Sequence, residues 1–415
     1  MSHHPTTPLD VAFVRGHFPA LAGDWTFFDN AGGSQILRGV VDRITDYLLT
    51  TNVQLGASYA VSQHAGERMQ EAQRRMAEFV NAQRPEEIVM GPTSTMLVQL
   101  LARAMEPQLK PGDEVVVTRA DHESNIGAWV RLESIGVVPR FWELNAQTQS
   151  LDLADLDVVM SPRTRLVAFT HASNISGTIN PVAEWTRFIH ARGAKVCVDG
   201  VAYAPHRAVD VRAWDVDYYV LSLYKVYGPH HALLYGKYAH LLELANLYHY
   251  FIANDRIPYK LQPGNPNYEL SYGSIGIVDY LEELGARSGA PTDAPRRARI
   301  DHAYAAIADH EAALADRLIT YLATKPKVRV IGEANADQAV RVPTISFVVE
   351  GSDPQAIVRH IDGLRIGIRC GDFHSRRLVE RLNLLGAGGV VRVSMVHYNT
   401  IEETDRLIRG LDDVL

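Results

Sequence analysis

Lysine is scarce in this chain, and one of its seven lysines stands apart. Lys110, Lys195, Lys237, Lys260, Lys325 and Lys327 mostly sit in turns or beside glycine, proline or polar residues, where an ammonium meets water. Lys225 instead closes the apolar run Tyr218-Tyr219-Val220-Leu221-Ser222-Leu223-Tyr224 and precedes Val226-Tyr227-Gly228-Pro229. Burial at a strand end penalises the charged amine and lowers its pKa, leaving a neutral nucleophile able to form a Schiff base. The same position also suits a surface lysine that snorkels to solvent. Asp199 ends a second apolar run, Lys195-Val196-Cys197-Val198, and is followed by Gly200. A carboxylate there suits a helix cap or a turn or, at the carboxyl end of a parallel strand, a ligand crevice. Such a pair meets the needs of pyridoxal 5'-phosphate. The lysine holds the aldehyde carbon, and the acid keeps the ring nitrogen protonated and the ring an electron sink.

Three more clusters could serve the same group. Gly91-Pro92-Thr93-Ser94-Thr95 lies between a strand pattern and a helix pattern. Hydroxyls and free N–H groups at a helix N-terminus attract a phosphate, although the same residues serve as ordinary caps. Ser222 adds a hydroxyl beside Lys225. His122 and Asn125 follow another predicted strand, and an imidazole there can stack on a planar ring. Asn174, in His171-Ala172-Ser173-Asn174-Ile175-Ser176-Gly177, follows yet another and could reach the cofactor's phenolic oxygen. All five clusters stand at the carboxyl ends of predicted parallel strands, which joins them into one site.

The elements that must position these groups can be read from the spacing of apolar residues. Helical periodicity covers 38–50, 66–82 and about 95–105. Short apolar runs at 88–90, 114–118, 138–144, 165–172, 195–199, 218–223 and 232–235 read as strands, with a helix at 182–191 between two of them. This alternation predicts an α/β fold with a mostly parallel sheet. A Pro-, Asn- and Tyr-rich connection spans 248–267, and 287–295 reads as a linker. Beyond it, helices at 296–323, 353–361 and 401–411 mix with strands at 328–331, 344–349, 366–370 and 390–395, as in a smaller α+β domain.

Composition narrows the function. Of the 415 residues, 47% are hydrophobic and 21% charged, the balance of a globular protein large enough for more than one domain. A net charge of −7 provides no electrostatic footprint for nucleic acid or an anionic membrane. No run approaches the roughly 18 apolar residues that would span a bilayer. Residues 1–10 are polar, include His3 and His4, lack the apolar segment of a secretory signal and read as a disordered leader. Cys197 and Cys370 are too few for a disulfide framework or a Cys-rich metal site, so a cytoplasmic setting is expected. His230 and His231 are adjacent and would point to opposite faces of a strand, so no metal is assigned. No G-x-G-x-x-G opens a helix after the first strands, which argues against a nicotinamide enzyme.

The order and spacing of these motifs resemble the class V aminotransferase family, and within it the cysteine desulfurase-like branch. Asp29-Asn30-Ala31-Gly32 resembles the family's "D-N-A-A/G" element, and 121–125 its stacking-histidine loop. Residues 171–181 resemble "H-x-S-N-x-x-G-x-x-x-P", Val198-Asp199-Gly200 the start of "V-D-G-A-Q", and 217–229 "D-F-x-x-x-S-x-H-K-x-x-G-P". The tail from Val391 to Thr400 resembles "x-R-x-S-x-x-x-Y-N-T". The resemblance runs from about residue 25 to the C-terminus. It implies the fold type I of pyridoxal-phosphate enzymes. Residues 25–288 would form a large cofactor-binding domain, 289–415 a small α+β domain, and 1–24 a segment packing on the small one. It also implies a homodimer with shared active sites. Lys225 would hold the cofactor and shuttle the Cα proton of a small amino acid, through aldimine and quinonoid intermediates. Asp199 would meet the ring nitrogen, His122 would stack on the ring, and Ser94, Thr95 and Ser222 would hold the phosphate. Asn174 and Arg392 would bind the substrate carboxylate, with the backbone of Ala31 and Gly32 nearby. Ser271 or Tyr272, with Tyr272 taken here, would donate a hydroxyl to the neighbouring subunit's phosphate.

Three departures from that pattern bear on the chemistry. Tyr224 stands where the family has His before the lysine, and Ala202 stands where it has Gln after the aspartate. The third lies in Arg369-Cys370-Gly371-Asp372-Phe373-His374. The branch's "R-x-G-x-x-C" thiol is replaced by His374, while Cys370 directly follows the arginine. An imidazole cannot carry sulfur as a persulfide but can act as an acid or base. The expected activity is therefore lyase or transferase chemistry without a protein persulfide. The alternatives are a desulfurase using Cys370, an aminotransferase or epimerase, and a non-catalytic protein of the same fold.

Overall fold

A computed structural model describes residues 8–415. The leader proposed for residues 1–10 lies mostly outside them. The chain's valine-rich runs form a seven-stranded sheet. In spatial order its strands are Ile88–Gly91, Ala232–Gly236, Tyr218–Ser222, Lys195–Asp199, Thr164–Thr170, Glu114–Thr118 and Val138–Trp142. Six run in the same direction, and only Ala232–Gly236 runs antiparallel, to both of its neighbours. The expected mostly parallel sheet is thus mixed at one edge.

Both faces of this sheet are covered, which explains why its strands read as continuous apolar runs rather than alternating ones. Successive residues enter two different cores. Val116, Val167, Phe169, Tyr219 and Leu221 point into one, while Val115, Val117, Leu166, Ala168, Tyr218 and Val220 point into the other. Each such side chain contributes about 1.5–3 kcal/mol on burial. The parallel strands end on one rim, where Thr118, Thr170, Asp199 and Ser222 lie.

The helices Arg38–Thr50, Val182–His190, Arg296–Ala323 and Ile401–Asp412 match the apolar spacing, whereas Ile275–Arg287 and several short helices were not expected from it. The second helix is longer than its pattern, Ala60–Val80, because Gly66 lies inside it rather than before it. The C-terminal region forms a four-stranded antiparallel sheet in the order Arg369–Gly371, Val390–Ser394, Thr344–Val349, Val328–Ile331. The single strand expected at 366–370 is divided. Ile366–Gly367 pairs in parallel with Thr26–Phe27, and the chain then changes partner so that Arg369–Gly371 joins Val390–Ser394. Residues 26–29 are therefore tied to the C-terminal sheet, and Asp29 itself bridges to Ser394. The N-terminal helix Val11–Gly16 contacts the same region, with Arg15 donating to the Tyr398 carbonyl and to Glu403. Phe18 packs on Tyr227 and Tyr280 as well as His397 and Tyr398, so this segment touches both halves.

Candidate active site

A cavity of about 150 Å³ opens at the carboxyl rim of the large sheet. Its lining includes Ser94, Thr95, His122, Asn174, Asp199, Ser222, Tyr224 and Lys225, so side chains spread over more than a hundred residues converge there. Lys225 is buried in the short turn Leu223–Lys225, and its Nζ has no hydrogen-bond acceptor among the described residues. Burial, reinforced by Arg392 and opposed by Asp199 and Asp29, lowers its pKa to about 8. Lys260 shows that burial alone is not the signal. It too is buried, against the expectation of a solvent-facing lysine, but its ammonium donates to the carbonyls of Leu242 and Leu244.

Asp199 is buried beside Thr170 and Val220 in register. One carboxylate oxygen accepts from the Val201 N–H at 2.9 Å. Burial pushes its pKa up, while the Val201 N–H and Lys225 hold it down. A buried carboxylate with a single N–H partner is well matched to a protonated ring nitrogen. Across the cavity, Ser222 donates to Ser94 at 3.0 Å, at the start of the helix Ser94–Met105. Thr93 caps that helix by accepting from the Met96 N–H. Paired hydroxyls at a helix N-terminus suit a phosphate. Free amine, buried acid and hydroxyl cradle together fit pyridoxal phosphate.

His122 overlooks the cavity from the loop after Glu114–Thr118. Its Nδ1 accepts from the Ser124 N–H at 3.1 Å and lies 2.8 Å from the Ser124 hydroxyl, which leaves the proton of the neutral ring on Nε2. Burial, then the positive charges of Lys225, His374 and Arg392, lower its pKa to about 3, so the ring is neutral. Asp121 was not singled out from sequence, yet it sets this loop. It accepts from Thr118 at 2.5 Å, Asn125 at 2.7 Å and the Thr170 N–H at 3.1 Å, and burial pushes it up to about 7. Asn125 thus orders the loop.

A second wall stands beside this lining, from the C-terminal sheet, near enough that the charge of Arg392 lowers the pKa of both Lys225 and His122. Arg392 and Arg369 are direct cross-strand partners, a repulsive placement unless a counter-charge intervenes. Asp29 intervenes, 2.9 Å from Arg392 and 3.5 Å from Arg369. Gly32 leaves room for this bridge, since a Cβ there would lie 3.0 Å from the Asp29 carboxylate. Arg392 also donates to the Asn174 carbonyl and lies 3.7 Å from the Phe373 ring centroid. Its Nε is buried without a partner among the described residues. Asn174 is engaged at both ends of its carboxamide, donating to the Phe373 carbonyl and accepting from Ser375. Residues 372–375 therefore form a strap across the mouth, also held by the Glu123 N–H donating to the His374 carbonyl. The exposed His374 ring sits 5.4 Å from that of His122.

Some expected partners are engaged elsewhere. The Ala31 N–H donates to Ser394 and the Gly32 N–H to the Asp29 carbonyl. Tyr272 lies away from this chain's cavity, in a cluster with Tyr47 and with Arg68 over its ring; Ser271 is buried against His231. His230 stacks on Tyr224 instead of joining His231. Cys370 follows Arg369 on a strand, so it faces the other side and packs into the C-terminal core, where burial raises its pKa. Asp29 and Ser375 were not among the candidates; their pairing with Arg392 and Asn174 spans 363 and 201 residues and leaves no local signal.

The family model for aminotransferase class V matches residues 26–292 and 298–407. The chain belongs to the class V aminotransferase family. It is 43% identical over 420 residues to the aminotransferase-like protein FGM3 of Gibberella zeae, covering 99% of this chain and 100% of that one. It is 32% identical to the cysteine desulfurase-like protein ustD of Aspergillus flavus, covering 98% and 91%. Among solved structures, a cysteine desulfurase of Escherichia coli superposes with a TM-score of 0.81 at 25% identity, covering 98% of each chain. One from Thermococcus onnurineus superposes at 0.86 and 24%, covering 100% and 99%. The fold is thus the α/β fold type I of pyridoxal-phosphate enzymes, and family members depend on that cofactor. No described helix is long and apolar enough to cross a membrane.

Proposed function

We propose that this class V protein is a lyase or transferase acting on a small amino acid without a protein persulfide. The observation that carries this reading is the strand Arg369–Gly371. Arg369 lies on the same face as Arg392, beside Asp29, while Cys370 faces the core and the strap presents His374. A half-buried thiol packed against the apolar core on the far side of a strand, with its pKa raised by that burial, is poorly placed and poorly ionised for nucleophilic attack.

When bound, pyridoxal phosphate supplies an electron sink for negative charge at the substrate Cα. Lys225 is the residue to hold it, with Asp199 at the ring nitrogen, His122 against the ring face, and Ser94, Thr95 and Ser222 at the phosphate. Arg392 and Asn174 are the groups for the α-carboxylate; the planar guanidinium suits a carboxylate. Asn174 must first exchange its strap partners, so binding and strap movement are coupled. The Lys225 amine, neutral in part at pH 7–8, takes and returns the proton at Cα. His374 supplies an acid or base to the substrate's side chain. Aminotransferase and epimerase outcomes use the same groups. A homodimer with shared sites and a cytoplasmic location belong to the same proposal, the latter supported by two unpaired thiols.

The test mixes the pure protein with a panel of amino acids and assays keto acid, alanine, ammonia and sulfide, with Cys370→Ala in parallel. The reading expects product from at least one amino acid and rates within about 2-fold in Cys370→Ala. Sulfide release that vanishes in Cys370→Ala would establish a desulfurase instead. Visible cofactor absorption that persists in Lys225→Ala would remove the lysine from its role and favour a non-catalytic protein.

A further inference from the structure

Tyr224 replaces the histidine expected before the lysine, and nothing above gives it a task. Its side chain lines the cavity beside Lys225, and Lys225 Nζ lies 5.9 Å from its ring centroid. The ring is fixed from two sides. His230 stacks on one face, with centroids 5.0 Å apart and planes 11° from parallel. Gly33 lies against its edge, where a Cβ would come within 3.2 Å of the ring. The backbone is fixed as well, because the Tyr224 carbonyl accepts from both the N–H and the hydroxyl of Ser34. The phenol therefore has a defined place, yet its hydroxyl has no hydrogen-bond partner among the described residues. The hydroxyl of this half-buried ring is not sealed from solvent, so it stays free to donate to a molecule that enters the cavity. Burial, together with the nearby Asp199 charge, raises its pKa, so the group is a protonated donor at neutral pH.

Apart from Asp199, whose second carboxylate oxygen is taken as the partner of the ring nitrogen, the uncommitted polar groups around it are also donors. Arg392 Nε is buried without a partner, Lys225 Nζ has no acceptor, and the carboxamide of Asn174 is already paired. A ligand that satisfies this wall must bring acceptor oxygens, one set as the α-carboxylate and another farther along. A thiol sulfur is a weak acceptor and would leave the phenol unsatisfied. The placement also favours substrate over phosphate. Tyr224 rests on the 29–34 segment that carries the Asp29 counter-ion of Arg392, whereas the hydroxyl cradle belongs to Ser94 and Ser222.

We infer that Tyr224 reads the substrate's side chain, donating its phenolic hydrogen to an oxygen on the β or γ carbon and so favouring oxygen-bearing amino acids over cysteine. This rests on the cavity being an amino-acid site. The test uses the full-length protein loaded with cofactor, as wild type and Tyr224→Phe. L-Alanine, L-serine, L-aspartate and L-cysteine are titrated as probes against the cofactor spectrum, and the cofactor itself is titrated into apoprotein. Serine or aspartate should bind about 10-fold or more tighter than alanine and cysteine in wild type, which is the effect of one well-placed hydrogen bond. Tyr224→Phe should bring that preference to within about 2-fold while leaving alanine and cofactor binding within the same margin. Equal affinities in wild type would overturn the inference. So would a Tyr224→Phe protein that loses cofactor affinity about 10-fold and weakens all four amino acids alike, because the phenol would then serve the phosphate. A loaded protein whose spectrum responds to none of the four would overturn the amino-acid reading itself.

Discussion

On the wall of the cavity built by the seven-stranded sheet, the two buried charged groups are left with little or no pairing. Lys225 has no acceptor, and Asp199 has one N–H. On the wall built by the C-terminal sheet and the strap, the groups are paired with one another. Asp29 joins two arginines, Asn174 is held by Phe373 and Ser375, and Phe373 covers Arg392. The first wall is preorganised for a resident group, because strand ends fully packed on both faces cannot relax around an empty charge. The second is closed on itself and must exchange partners to admit a carboxylate. The chain departs from the family's residues on both walls, at Tyr224 and Ala202 on the first and at His374, which stands in place of a thiol, on the second.

The difference can be broken at either wall. The largest effect belongs to Lys225→Ala, which removes the amine and should lower turnover by about 10³-fold or more, with loss of the visible absorption of the bound cofactor. Activity within 10-fold of wild type would show that the unpaired wall is not the reacting one. His374→Ala comes next, with kcat lowered by about 10²-fold and KM little changed if the ring moves a proton. A rise in KM alone would make it a binding residue of the strap. Asp29→Asn leaves two cross-strand arginines without a counter-charge and should cost about 2–3 kcal/mol in denaturant unfolding. Unchanged stability would mean the second wall's pairing is decorative.

The smallest effect links the walls. Arg392 helps to lower the Lys225 pKa, so uptake of pyridoxal phosphate by apoprotein should rise with pH through about 8 as the amine loses its proton. Above that it should level off, whereas an ordinary lysine would continue to gain reactivity toward 10.4 or so. Arg392→Gln removes a neighbouring positive charge and should move the midpoint upward. A midpoint unmoved by that change would show that the two walls are electrostatically independent.

The fold was legible because its cause is local. Valine-rich runs buried on both faces, amphipathic repeats and Gly- or Pro-marked turns located nearly every strand and half of the helices, missing Ile275–Arg287 and the short ones, and the strand ends placed Lys225, Asp199, His122, Ser94 and Ser222 together at one rim. Two errors have equally plain causes. Gly66 was taken for a helix boundary, although a glycine inside a long amphipathic helix is tolerated. Lys260 sits in a Pro- and Tyr-rich connection that reads as surface, but its ammonium meets the carbonyls at the C-terminal end of the helix Tyr238–Glu243.

By itself, then, the amino-acid sequence determined the strands of the sheet and the residue types at their carboxyl ends, since hydrophobic periodicity and residue type act over a few residues. Only the tertiary structure decided that Asp29 balances Arg392 and Arg369, that Asn174 is held by the strap, and that Cys370 is turned into the core. Those outcomes depend on how two sheets meet across hundreds of residues and on which face of a three-residue strand is which. A single step in register reverses the facing, and no local pattern specifies it.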